Sequence, residues 1–207
     1  MSDETTSGLT ACSERMRQLY WQEKDLPEAL KVAVEGIRGG ESDALDDPAG
    51  SSEILSLVKR LCYDVASFTW PGWDEPGIVP TPNDLILGTE MARKNLRYAI
   101  QLNKGDLPTS RAYWMVGAHL LSAGRYAEAV AEFEEAETYA QIARAIAEVS
   151  LSRGFVTLAQ VLSGDSNLAQ VLTEQLSVMD ADATTASFAE QIRTAARVFG
   201  ISGLLES

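Results

Sequence analysis

The chain has 207 residues, 30 of them acidic against 17 basic, which gives a formal charge of −13 at neutral pH. That field repels phosphate backbones and argues against nucleic-acid binding, while 45% hydrophobic residues are enough to build a core. No run approaches the roughly 18 apolar residues of a membrane span, so no membrane partner is expected. The N-terminus MSDETTSG lacks the basic and apolar stretches of a secretory signal, and a cytoplasmic location is expected. Cys12 and Cys62 lack metal-ligand spacing and read as reduced, packed thiols. The negative charge itself serves either solubility or a basic partner surface. Alanine, glutamate, leucine and arginine are plentiful and β-branched runs scarce, so the chain is expected to be all-α.

Residues 1–9 read as a flexible tail. Over 10–24, Cys12, Met16, Leu19 and Tyr20 recur at helical spacing. Asp25, Pro27 and Glu28 then form a helix start, with a capping carboxylate, a first-turn proline and an acid at the positive end. The helix carries Ala29, Leu30, Ala33, Val34 and Ile37 and is expected to stop at Gly39-Gly40. Residues 39–52 read as a polar acidic loop. Its Asp43, Asp46 and Asp47 lack the order and closing glutamate of a calcium loop, so solvated carboxylates are expected. Ser51 or Ser52 caps the next helix, whose Ile54, Val58, Leu61, Val65 and Phe68 form one stripe.

The segment FTWPGWDEPGIVPTPN follows, and its prolines and glycines make 69–83 a loop. It carries Trp70 and Trp73, two indoles that either plug a groove between helix pairs or present a binding face. Asp74 and Glu75 stand beside them as carboxylates. Pro82, Asn83 and Asp84 open a helix that ends near Asn103-Lys104-Gly105. Its Arg93, Lys94 and Arg97 form a basic face, either solvated or paired with acidic neighbours.

Residues 111–138 read as two helices meeting at Ala123-Gly124-Arg125. Tyr113, Val116, Gly117 and Leu120 share one face of the first, and Tyr126, Ala129, Phe133 and Ala136 one face of the second. Small residues stand where two helices must approach, and large ones fill the space between. The spacing Tyr113-x₂-Val116-Gly117-x₂-Leu120, then Ala129-x₃-Phe133, resembles the tetratricopeptide repeat (TPR). Tyr replaces Trp, Val replaces Leu and Leu replaces the second Tyr. Leu26, Ala29, Ala33 and Gly36 fall at the positions of Tyr126, Ala129, Phe133 and Ala136, as in a degenerate copy.

After the clear repeat (110–138), residues 139–163 form a long apolar stretch broken at Gly164-Asp165. A helix over 167–179 comes next. Beyond the turn at 180–183, Thr184 or Thr185 opens a last helix with Phe188, Ile192, Ala195 and Phe199. Its polar outer face suits a capping element of a helical stack. The fold expected is a single domain over 10–207, all-α, with eight or nine helices in TPR-like antiparallel hairpins stacked as a compact right-handed bundle.

No phosphate-binding glycine loop, H-E-x-x-H, nucleophile elbow or C-x-x-C is present. The single histidine, His119, reads either as a packed structural residue or as a ligand contact. No catalytic residues, metal or cofactor are expected. In the TPR family the first helix of each pair holds a peptide or helix, and its groove-facing positions fall on Arg111, Trp114, Ala118 and Leu121. Trp114 is read either as a groove contact or as buried against the preceding helix or the Trp70–Trp73 loop.

The resemblance implies a protein–protein interaction module, an adaptor or chaperone-like binder. Trp114 and Leu121 would supply apolar contact, Arg111 orientation, and acidic flanks would steer a basic segment. The alternative is a small-molecule binder or enzyme that uses the Trp70–Glu75 loop as a lid. A third reading is a homodimer stacked through the terminal helices.

Overall fold

The structure is a computed structural model that describes residues 2–201, with side chains from Glu4 onward. Among those residues there are nine α-helices and no strand: α1 (Ser2–Gln18), α2 (Leu26–Asp46), α3 (Ser51–Thr69), α4 (Pro82–Gln101), α5 (Asp106–Ser122), α6 (Tyr126–Ile142), α7 (Ile146–Leu162), α8 (Leu168–Asp180) and α9 (Ala186–Val198). The sequence reading took 10–207 as one domain; the contacts divide the chain into two compact units. One is the described chain up to Thr69 with Pro76–Lys104. The other is Trp70–Glu75 with the described residues from Gly105 onward. Within each unit, helices adjacent in sequence pack as antiparallel neighbours.

In the first unit the residues read as a tail are helical from Ser2, and Leu9 is buried. Met1 lies outside the described residues. After α1 a wide π turn, Leu19–Glu23, buries Leu19 and Tyr20, and the Tyr20 ring stacks on Phe68 with centroids 3.8 Å apart. The Asp25 side chain caps α2 as expected, accepting from the Glu28 amide at 3.1 Å. The expected stop at Gly39-Gly40 does not occur, and α2 runs on to Asp46. Gly40 instead permits close packing: a Cβ there would lie 2.6 Å from Val58 Cγ2. The loop expected over 39–52 therefore shrinks to 47–50, and Asp43 and Asp46 are helical. Ser51 and Ser52 already belong to α3, and the Ser51 hydroxyl donates to the Pro48 carbonyl. Thr81 and Asp84 form a reciprocal capping box at the start of α4. Lys94 on the expected basic face is paired with Glu41 of α2 at 2.9 Å, and the Tyr98 hydroxyl donates to the same carboxylate at 2.5 Å.

The second unit is built on an equal-length repeat. Helices α5, α6 and α7 each have 17 residues and begin at residues 106, 126 and 146, a pitch of 20 residues. Each ends in the same way. The amide of a left-handed residue bonds the third carbonyl back, and the next amide bonds the fifth back: Gly124 to Leu121 and Arg125 to Leu120, Arg144 to Gln141 and Ala145 to Ala140, Gly164 to Val161 and Asp165 to Gln160. This is the Schellman cap, which satisfies carbonyls that the helix end would leave open. It also ends α4 at Asn103 and α9 at Gly200. The apolar stretch over 139–163 is thus not one helix. It breaks at 143–145, where Arg144 adopts φ 57 in a position that glycine fills at 124 and 164.

Candidate functional site

The buried face of α5 is assembled from both of its ends. In the α5–α6 hairpin, Gly117 lies beneath Phe133, and a Cβ at Gly117 would lie 2.7 Å from that ring. The Ser110 hydroxyl donates to the Ala136 carbonyl at 2.7 Å and ties the two helices together from within. Ala129, Phe133 and Ala136 are buried, as their spacing predicts.

The two adjacent aromatics exchange the roles that the repeat pattern gives them. Tyr113 is half-buried and stacks on Tyr139 at 5.4 Å, whereas Trp114 is buried. Trp114 packs edge-on against Phe155 at 5.0 Å and lies 6.2 Å from Phe133. Its Nε1 is enclosed with no hydrogen-bond partner.

Trp70 closes this face. Only 2% of it is exposed, and its Nε1 donates to the Ala118 carbonyl at 2.9 Å. The ring meets Trp114 at 5.4 Å and Trp73 at 4.8 Å, both edge-on. A single 3₁₀ turn, Pro71–Trp73, holds the segment, with Gly72 so close over the Trp70 ring that a Cβ would overlap it. Asp74 follows in the left-handed region at φ 51, and its amide donates back to the Pro71 carbonyl at 3.0 Å.

The eight residues singled out in sequence therefore fall into three groups: buried, half-buried (Trp73) and facing solvent. Trp70, Trp114, Ala118, His119 and Leu121 are buried, so three of the four positions assigned to an open groove on α5, all but Arg111, are covered by this chain itself. Of the two indoles Trp70 plugs, while Trp73 stays half-buried. Arg111 and Asp74 lie toward solvent, each already committed to a partner. Arg111 donates through Nε and Nη2 to Glu148 at 2.8 and 2.5 Å. Asp74 meets Arg197 at 3.4 Å, with both side chains more than half exposed, a contact worth a few tenths of a kcal/mol at most (about 0.3).

A second feature of the same unit was not marked in the sequence reading. Helices α7 and α8 border a cleft of about 360 Å³, with Val171, Val178 and Met179 on its apolar side and Arg153, Glu174 and Gln175 on its polar side. Val178 is 73% exposed, and Ile146, at the start of α7, 77%. The available signal was the seven-residue spacing of two valines on one face of α8.

Among the described residues, no group of three or more His, Cys, Asp or Glu side chains is placed to hold a metal ion. No helix among them is long and apolar enough to cross a membrane. Comparison with family models, with curated proteins and with solved structures gives no match.

Proposed function

We propose that the chain is a protein–protein interaction module, adaptor or chaperone-like, built of TPR-like hairpins, and that it recognises a peptide or helix with a basic segment. Support comes from the α5–α6 hairpin, where Gly117, Ala129 and Phe133 pack at the spacing that carries the resemblance. Two features set it apart from a regular TPR array. Its hairpin repeats after 40 residues, from the start of α5 to the start of α7, against 34 for the TPR. Its α5 face is occupied by Trp70.

The single observation that carries the proposal is the aliphatic wall of the α7–α8 cleft, where Val171 and Val178 line one cleft and both are exposed, Val178 to 73%. An exposed apolar wall rimmed by polar residues marks a contact surface or a binding groove. Acidic charge around it steers a basic partner and excludes an acidic one.

The test is co-purification of the tagged chain from native extract along a salt series. One partner recovered at low salt and released by roughly 0.5 M salt is the result expected, because exposed charges are screened there. A chain that elutes alone at every salt concentration overturns the proposal.

A further inference from the structure

We propose that the cleft between α7 and α8 docks a short amphipathic helix with aliphatic side chains on one face and a lysine or arginine beside them. The inference rests on the interaction-module reading and gives it a place and a partner chemistry.

Shape favours a helix. Val171 and Val178 stand two turns apart on α8, about 10 Å along its axis, and both are exposed. A helix laid along the cleft covers both valines, with its own apolar residues at i and i+7 meeting them.

Charge selects its polar edge. Arg153 donates from Nε to Glu137 at 2.7 Å, so its charge is compensated within the chain. Glu174 accepts only an amide hydrogen from Gln170, at 2.9 Å, and among the described residues no cation pairs with it. Beside it the Gln175 Oε1 is enclosed without a donor. The cleft therefore offers an uncompensated carboxylate next to an apolar wall, on a chain of charge −13. A second copy would bring the same carboxylate and the same negative field, and so is the less favourable occupant.

The test uses a fluorescein-labelled amphipathic peptide of about 18 residues, leucines on one face and lysines beside them, and the same peptide with glutamates in place of the lysines. Fluorescence anisotropy is read on the full chain and on its Val178→Asp, Glu174→Lys and Leu45→Asp variants. All three positions are exposed, so folding is expected to survive and is checked by circular dichroism. The lysine peptide should bind the unsubstituted chain and Leu45→Asp alike, and each cleft variant about tenfold more weakly. The glutamate peptide should not bind.

Val178→Asp separates the cleft from non-specific attraction. It adds negative charge, so simple charge attraction predicts tighter binding where a filled cleft predicts weaker. Equal or tighter binding by Val178→Asp overturns the proposal, as does a concentration-dependent dimer of the unsubstituted chain that Val178→Asp abolishes. A native partner retained by both cleft variants overturns the cleft assignment and leaves the interaction-module reading standing. A chain that recovers no partner at any salt overturns that reading itself.

Discussion

The indole nitrogen of Trp70 reaches the main-chain carbonyl of Ala118, 48 residues further along the chain, at 2.9 Å. A buried indole and a buried carbonyl thereby satisfy each other, and the ring fills the face of α5 that a bound peptide would otherwise have to cover. Trp70→Phe keeps an aromatic ring but loses the donor, so it should cost about 1–2 kcal/mol. Trp70→Ala should cost about 3–5 kcal/mol. Urea denaturation followed by circular dichroism measures both, and a Trp70→Phe cost near zero would show that the hydrogen bond contributes nothing separate.

Gly117 is required by the ring above it and not by its backbone angles. Gly117→Ala places a methyl 2.7 Å from the Phe133 ring, inside any real carbon contact, and should destabilise the chain by about 1–3 kcal/mol despite alanine's better helix propensity. Phe133→Leu in the same chain should return part of that loss, because it removes the clashing edge. A double-mutant cycle measures the coupling, and simple additivity would place the two residues apart.

How much of this was legible in the sequence differed from element to element. The α5–α6 hairpin could be read because Gly124 marks the turn and small and large residues alternate at helical spacing on both sides. The next turn could not, because Arg144 occupies the left-handed position with no glycine, asparagine or proline to announce it. Gly39-Gly40 misled in the opposite direction, since Gly40 serves helix contact in mid-helix. Tyr113 and Trp114 are neighbours that both suit an apolar position. What decides between them is Trp70, and local periodicity carries no information about a residue so distant in sequence. The α7–α8 cleft was hidden for the same reason: its two walls belong to different helices.

Arg144 carries a conformational cost that its counterparts avoid. At φ 57 an L-residue with a Cβ is strained by about 1 kcal/mol, whereas glycine is at ease. Arg144→Gly should therefore leave stability unchanged or raise it by up to about 1 kcal/mol, since glycine is the favoured residue just past a helix C-terminus. Thermal unfolding measures the change, and a loss of more than about 1 kcal/mol would mean that the Arg144 side chain makes a contact that outweighs the strain.

Glu41 joins α2 to α4 through Tyr98 and Lys94. Burial by itself pushes this carboxyl up, but the hydrogen bonds from Tyr98 and Lys94, with the charges of Lys94 and Arg97, outweigh it and hold it below the usual carboxylate range. A depressed folded-state value stabilises the protein above the unfolded-state pKa, and that contribution is lost as pH falls through the folded-state value. Asp64 acts in the opposite sense, since burial raises its carboxyl despite the nearby Arg17. Comparison with Glu41→Gln cancels Asp64. The unsubstituted chain should exceed the variant by under about 1 kcal/mol at neutral pH, because the carboxylate is partly exposed. The gap should narrow once pH drops below about 4. A gap that widens in acid would contradict the assignment.

The central claim is that the chain fills the α5 face with its own Trp70. It is tested most directly by indole hydrogen exchange, followed by ¹⁵N-resolved NMR, in which each of the four tryptophans gives a separate Nε1–H signal. The Trp70 signal, identified by its loss in Trp70→Phe, should be among the slowest to exchange, opening only with unfolding of its unit. If that signal exchanges as fast as a solvent-exposed indole, the face stands open in solution and the account is wrong.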